Sequence, residues 1–214
     1  MKFDSKKQKI WFVSDLHFGH AKNFILEPRG YNNVQEAMKH TWTTLTQTVG
    51  SSDVIFNLGD LVIGAGTNSL EYANKLIRLP CAAHYFINGN HSAGVKDIYE
   101  LTKRQVYSNI PDEVEVYPLT VTGTVFTFLG HRAEIFIDGR AVILDHYPIA
   151  SWNHLSKDAY HIHGHCHRNL KENTSLYRID VGWEWMKRPV EWNEIVRELN
   201  PRKTKSPDHH SPDM

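Results

Sequence analysis

The sequence predicts a single α/β domain, and three observations support this prediction. The chain has 214 residues and is 41% hydrophobic and 22% charged, which fits one globular domain with its own core. In the first half, short apolar runs alternate with segments of helical spacing, as in β-α units. The second half is richer in strands. We expect residues 1–199 to form the domain and residues 200–214, with three prolines and many polar residues, to be a disordered tail.

The first half contains three predicted strands and two predicted helices. Asn33 is a favourable N-cap, and the residues after it place apolar side chains at three- and four-residue spacing. The later helix carries its apolar residues on one face and ends before Pro80. In chain order, the elements are strand Ile10–Val13, helix Val34–Val49, strand Val54–Phe56, a helix over Leu70–Ile77 and strand Ala82–Ile87.

The second half is predicted to contain mostly strands. Asp138-Gly139 is a strong hairpin signal between two of them. The predicted strands are Glu113–Tyr117, Val125–Leu129, Ala133–Ile137, Ala141–Leu144, Tyr160–His163 and Ser175–Val181. The predicted helices are Gly94–Arg104 and Val190–Leu199.

Charge and cysteine content narrow the classes of function. Lys+Arg and Asp+Glu both number 24, so no overall positive field attracts nucleic acid or an anionic membrane, although a local basic groove is still compatible with this balance. Cys81 and Cys166 form no disulfide framework, which fits a reducing cytosol. Ile10–Val13 is too short for the core of a signal peptide, and no segment approaches the length of a membrane span. We expect a cytoplasmic protein that does not bind membranes.

Polar residues of metal-ligand type follow the predicted strands. Asp15-x-His17, Gly59-Asp60 and Gly89-Asn90-His91 each come directly after one of the first three strands. Ligands in open α/β sheets lie beyond the carboxyl ends of the strands, so three such endings are hard to explain by packing. Of 14 histidines, six fall between His146 and His167. His165 and His167 are two positions apart and therefore project to the same side in extended backbone, an arrangement that suits a metal ion.

The ordered motifs D-x-H, G-D, G-N-H, H and G-H-x-H resemble the calcineurin-like metallophosphoesterase superfamily across Ile10–Gly182. The HFGH start, the HYP-x-x-x-W segment and the late Asp180-Val181-Gly182 resemble a compact prokaryotic or phage-type branch. The resemblance implies a metallophosphoesterase-like β-sandwich of two mixed sheets flanked by helices.

The resemblance also implies a role for each motif residue. It implies a phosphoester hydrolase with two divalent transition metal ions and a metal-bridging hydroxide as nucleophile, with manganese expected first and iron, zinc, nickel or cobalt as alternatives. His91 would protonate the leaving group. The implied ligands are Asp15, His17 and His167 for one ion and Asn90, His146 and His165 for the other, with Asp60 bridging both.

The chain departs from the superfamily pattern at two positions. Many members carry an acid directly after the histidine of G-N-H, where this chain has Ser92, and an aspartate three residues after the bridging one, where it has Ile63. An orienting partner for His91 must then come from elsewhere. Asp145 and Asp180 either orient ligand histidines or belong to turns, and the sequence leaves both open.

Four further residues are candidates for substrate contact, each with an ordinary alternative. His20 and Asn23 could touch phosphate or simply stabilise their loop. Arg168 could clamp a phosphate or stay in solvent. Trp152 could stack on a nucleobase or belong to the core.

The expected substrate is a phosphoester, of a nucleotide or a related small molecule. A nuclease acting on DNA or RNA is the main alternative, and it would require a local basic groove. A non-catalytic scaffold of the same fold would have lost metal ligands, and none of the eight ligand or acid positions is lost here. The oligomeric state stays open.

Overall fold

A computed structural model describes residues 1–63, 67–91, 118–121, 124–167, 169–170, 176–184 and 186–202. Strand β2 (Ile10–Val13) shows why the chain forms layers, because all four of its side chains are buried. Ile10 and Phe12 face one apolar cluster, whereas Trp11 and Val13 face another. A strand that is apolar on both faces must be covered on both faces.

The sheet that contains β2 has six strands in the order β11-β2-β3-β4-β6-β5. Its central strands are parallel, and the first residues of β2, β3 and β4 align as Ile10↔Val54 and Val54↔Ala83. The two outer strands, β11 and β5, are antiparallel to their neighbours. The bounds are β3 Val54–Asn57, β4 Ala83–Phe86, β5 Pro118–Val121, β6 Thr124–Phe128 and β11 Val190–Glu191.

A second, five-stranded sheet has the order β1-β7-β8-β9-β10. Strands β7 and β8 form the antiparallel hairpin whose turn is Asp138-Gly139, and the other neighbours are parallel. The bounds are β1 Lys2–Phe3, β7 Arg132–Ile137, β8 Arg140–Asp145, β9 Tyr160–His163 and β10 Arg178–Asp180. One buried apolar cluster contains side chains from both sheets, so the expected sandwich of two mixed sheets is confirmed.

Helices cover the outer face of the six-stranded sheet. Helices α2 and α3 contribute Leu45, Ala73 and Leu76 to the cluster that includes Trp11 and Val13. The helices are α1 Asn23–Leu26, α2 Val34–Thr48, α3 Thr67–Ile77 and α4 Trp192–Leu199, with a 3₁₀ turn at Leu155–Lys157. Within the part of the chain that the structure describes, no helix combines the length and apolar character needed to span a membrane.

Helix ends agree with their capping residues. Asn33 Oδ1 accepts a hydrogen bond from the Glu36 backbone N–H at 2.9 Å, which confirms the expected N-cap of α2. Glu191 and Glu194 form a capping box at the start of α4.

Most predicted elements are confirmed to within a few residues, and the exceptions have clear causes. Four short elements, β1, α1, β5 and the 3₁₀ turn, were not predicted. The predicted helix Val190–Leu199 starts two residues late because Val190-Glu191 pairs with β2. The strand predicted over Ser175–Val181 is limited to β10 in the described residues. The predicted elements Gly94–Arg104 and Glu113–Tyr117 lie outside the described residues, as does the tail beyond residue 202.

Candidate metal centre

The loops that follow β2, β3, β8 and β9 meet at one edge of the two sheets, held by backbone hydrogen bonds. The Asp15 N–H donates to Gly59 O at 3.1 Å and the His17 N–H donates to Asp60 O at 2.9 Å. The Gly164 N–H donates to His146 O at 3.0 Å. Motifs that are far apart in sequence therefore share one rigid frame.

Five of the sequence-predicted ligand residues adopt left-handed backbone conformations. The described chain has nine non-glycine residues with positive φ, and five of them are at this edge, so the strain is concentrated here. Such residues tend to occur at functional sites, because surrounding structure must hold them in place. The five are Asp15 (φ 56°), His17 (φ 47°), Asp60 (φ 52°), His165 (φ 70°) and His167 (φ 47°).

One compact group of possible ligands consists of Asp15, His17 and His167. The Nε2 atoms of the two histidines are 3.2 Å apart. Asp15 Oδ1 lies 3.9 Å from His17 Nε2 and 3.7 Å from His167 Nε2. This oxygen is buried and accepts no hydrogen bond from the described residues. A buried carboxylate oxygen without a donor, facing two imidazole nitrogens, suits a cation.

A second group consists of Asp15, Asp60 and His146, whose ligand atoms lie within 4.8 Å of one another. His146 Nδ1 donates to Leu58 O at 2.8 Å, because a carbonyl can only accept. This bond leaves His146 Nε2 with a lone pair, 3.6 Å from Asp60 Oδ1 and 3.0 Å from Asn90 Oδ1. The oxygen and nitrogen atoms of Asp60, Asn90 and His146 thus converge.

His165 stands at the outer side of the second group. Its ring centroid is 5.0 Å from that of His146 and 4.6 Å from that of Tyr147. Its backbone N–H donates to Asp15 Oδ2 at 2.8 Å, so it also fixes that carboxylate.

Two motif glycines are required because neighbouring side chains lie too close to leave room for a Cβ. A Cβ on Gly89 would stand 2.2 Å from Asp60 Oδ1, and one on Gly164 would stand 2.0 Å from Ser14 Oγ and 2.3 Å from Asp15 Oδ2. No side chain fits at these distances, so the glycines allow the carboxylates to reach their positions.

Burial disfavours the charged forms of three ligand residues, Asp15, His17 and His146. It raises the pKa of Asp15 to about 7 and, together with the charge of Arg29, lowers the pKa of His17 to about 2. Burial also lowers the pKa of His146. Neutral imidazoles and carboxylates that lack solvent are the donors that a divalent cation binds, and the cation in turn stabilises the ionised carboxylates. The residues present therefore fit metal ions.

Sequence reasoning missed two residues of this region, Arg29 and Glu184. Arg29 is buried and donates to Asp15 O at 2.7 Å and to Leu16 O at 3.0 Å. Glu184 Oε1 accepts from Arg29 Nε at 2.7 Å and from His167 Nδ1 at 2.8 Å. The only local signal was the position of Glu184, two residues after the Asp180-Val181-Gly182 segment.

The two aspartates considered as partners of ligand histidines make turn contacts. Asp145 accepts from the Tyr147 N–H at 2.9 Å and from Arg132 Nε at 2.7 Å. Asp180 Oδ1 accepts from the Gly182 N–H at 2.7 Å.

The candidate substrate-contact residues differ in their exposure and in their distance from the ligand residues. The His20 ring lies 5.4 Å from the His17 ring, and Asn23 is exposed at the start of α1. Trp152 is 6% exposed and its Nε1 donates to Ala159 O at 2.9 Å, which favours the core role over stacking on a base. Arg168 lies outside the described residues.

His91, the expected proton donor, is exposed at the entrance of the site. Its ring centroid is 5.8 Å from that of His17. Its backbone N–H donates to Asp60 Oδ1 at 2.8 Å, which ties it to the carboxylate between the two groups.

Comparison with known proteins assigns the family. The sequence model of the calcineurin-like phosphoesterase family matches residues 8–213, which is nearly the whole chain. The chain belongs to this family. Membership and the two ligand clusters together support a metal-dependent phosphoesterase.

Two proteins of related sequence and one solved structure are similar to this chain. The Gene 66 protein of Mycobacterium phage D29 is 26% identical over 205 residues, 87% of this chain and 90% of that protein. An uncharacterized protein of Methanocaldococcus jannaschii is 33% identical over 84 residues, 39% of this chain, and the match spans 47% of that relative's length. A protein of unknown function from Aquifex aeolicus has a similar structure, with a TM-score of 0.61 and 19% identity over 89% of this chain and 98% of that one. The last similarity concerns the fold.

Proposed function

We propose that this protein hydrolyses phosphoesters with two divalent metal ions. Asp15, His17 and His167 would hold one ion, and Asn90, His146 and His165 would hold the other. The observation that carries the proposal is the position of Asp60 between the groups. Its Oδ2 is 3.8 Å from His17 Nε2, and its Oδ1 is 3.6 Å from His146 Nε2. A carboxylate with one oxygen toward each group is suited to bridge two ions.

The ions and His91 have separate proposed roles in hydrolysis. Two bound ions supply an activated water and stabilise charge on the phosphoryl group. Manganese is the proposed native metal, although the mixed nitrogen and oxygen donors also suit iron, zinc, nickel or cobalt. His91 is proposed to donate the proton that the leaving oxygen requires, and its exposure at the entrance supports this role.

The proposed substrate is a nucleotide or a related small phosphoester. Formal net charge is zero, which gives no general attraction to a nucleic acid polymer. His20 and Asn23, near the first ligand group, are proposed to contact phosphate. We also propose a cytoplasmic location, which the two free cysteines support.

Replacement of the bridging carboxylate tests the proposal. Asp60→Asn should lower hydrolysis of bis(p-nitrophenyl) phosphate with Mn²⁺ by about 100-fold or more, since several kcal/mol of transition-state stabilisation depend on the ions. Asp4→Asn, which neutralises a half-exposed aspartate after β1, is the matched control and should retain activity. Wild-type activity in the Asp60 variant would refute the mechanism.

A substrate panel separates the remaining alternatives. Phosphomonoesters, cyclic nucleotides, dinucleotides and single-stranded nucleic acid should be tested with Mn²⁺ and Ni²⁺. Preference for small esters supports the proposal, and preference for the polymer would make the protein a nuclease. If wild-type protein hydrolyses none of them, a scaffold role would replace the enzyme.

A further inference from the structure

One carboxylate oxygen joins two parts of the first ligand group that are far apart in sequence. Glu184 Oε1 accepts from His167 Nδ1 at 2.8 Å and from Arg29 Nε at 2.7 Å, and Arg29 Nη2 lies 2.5 Å from the same oxygen. His167 therefore carries a hydrogen on Nδ1, which leaves Nε2, 3.2 Å from His17 Nε2, as the atom available to an ion. Glu184 thus sets both the tautomer and the ring orientation of His167.

The other end of the guanidinium holds the backbone of the D-x-H loop. Arg29 donates to the carbonyls of Asp15 and Leu16, at 2.7 and 3.0 Å. Asp15 and His17 are in left-handed conformations, so this segment needs external restraint. A guanidinium can reach two carbonyls and a carboxylate in one plane, which the single ammonium of a lysine cannot.

Burial makes the arrangement rigid. Arg29 is 3% exposed, and the Glu184 side chain is 12% exposed. Lys187 also donates to Arg29 O, which fixes the backbone of the arginine. Water therefore has little access to replace these contacts.

We infer that Arg29 and Glu184 act as one positioning unit for the ion held by Asp15, His17 and His167. The inference rests on the proposed function, because it requires that ion. The unit links the loop after β2 to the loop after β9 through the chain Asp15 O, Arg29, Glu184 and His167. Neither residue touches the ion; each acts through a ligand. Among the described residues, neither Arg29 nor Glu184 hydrogen-bonds to Asn90, His146 or His165, the proposed ligands of the other ion.

Ion binding provides a readout that is independent of activity. Wild-type protein should take up two Mn²⁺ per chain in equilibrium dialysis with elemental analysis. Glu184→Gln should weaken one of the two by about 10–100-fold, the usual effect of losing a residue that orients a metal ligand, and leave the other unchanged. Arg29→Lys should weaken the same ion, because it keeps the charge but loses the planar fork.

Double variants identify which ion is affected. In a His146→Gln background, Glu184→Gln should weaken the remaining ion by the same factor. In a His167→Gln background, Glu184→Gln should add a smaller loss than in the wild type, because the His167 side chain is gone and only the contact through Arg29 is left to lose.

The matched control is a partly exposed arginine–glutamate pair, with side chains that are 31% and 24% exposed. Arg188 donates to Glu194 at 2.9 and 2.7 Å, away from the ligands. Glu194→Gln makes the same chemical change and should leave both ions bound as in the wild type.

The outcomes separate this inference from the proposed function. If Glu184→Gln binds both ions as tightly as the wild type, or weakens both equally, the positioning role is wrong while two-ion binding stands. If wild-type protein takes up no ion, both are wrong. If Arg29→Lys fails to fold, as judged by circular dichroism, the Glu184 variants still test the positioning role.

Discussion

His84 is a buried imidazole in the layer between the six-stranded sheet and its helices, and its replacement should change how stability responds to acid. It is 2% exposed, its ring meets Phe126 edge-on at 5.4 Å, and neither ring nitrogen has a hydrogen-bond partner within the described residues. Burial lowers its pKa from 6.5 to about 4.

The sign and size of the effect follow from this pKa. Above pH 6.5 the imidazole is neutral in both folded and unfolded chains. As pH falls to about 4, His84 binds a proton in the unfolded chain but not in the folded chain, so the free energy of unfolding decreases. The difference in pKa corresponds to about 3 kcal/mol, complete near pH 4.

Two variants should abolish this contribution. His84→Leu and His84→Gln cannot bind the proton, so between pH 6.5 and pH 4 each should lose about 3 kcal/mol less stability than the wild type. Urea unfolding of metal-free protein measures this, because the titrations of the other histidines are common to all variants and cancel in the difference.

The measured quantity is the slope of the free energy of unfolding against pH, so a variant's absolute stability at pH 7 does not affect the comparison. His131→Gln removes an exposed imidazole and should keep the wild-type slope. If both His84 variants also keep the wild-type slope, the folded protein accommodates a charged His84 and the argument from burial fails.

Three other predictions concern the site and its surroundings. Gly164→Ala should abolish hydrolysis and Mn²⁺ binding, because the new Cβ would stand 2.0 Å from Ser14 Oγ, whereas Gly139→Ala, which strains the hairpin turn (φ 83°) but meets no atom within 4 Å, should retain both in the same assays. Chelation should stop hydrolysis, and Mn²⁺ at about 100 times its Kd should restore it and add about 2.7 kcal/mol to the free energy of unfolding, measured by urea titration. Trp152→Phe should cost about 1 kcal/mol through the lost bond to Ala159 O and leave KM unchanged; a raised KM would favour base stacking instead.

Sequence alone predicted the parts of the fold that local pattern encodes. The run Ile10–Val13 is apolar on both faces, and its burial in the structure is complete. The hairpin at Asp138-Gly139 follows from turn chemistry. By contrast, Lys2-Phe3 is a strand only because it pairs with Phe136 and Ile137, more than half the chain away. No local pattern reports such a partner.

The site also contains residues that a local motif predicts and residues that only the fold brings together. Ligand types at strand ends are visible as motifs, because the chemistry requires those side chains at those spacings. Arg29 and Glu184 were missed because neither belongs to a motif, and each acquires its role only when the fold brings them together across 155 positions. For Trp152 the sequence left stacking and a core role open, since a solvent-facing aromatic and a core aromatic look alike in sequence.

The left-handed residues at the candidate metal centre lower the stability of the folded protein. Each such non-glycine residue costs of order 1–2 kcal/mol relative to right-handed backbone. Glycine at His17 would relieve this backbone cost, but it would remove a proposed ligand. The protein therefore holds proposed ligand side chains at positions where glycine would be the less strained residue.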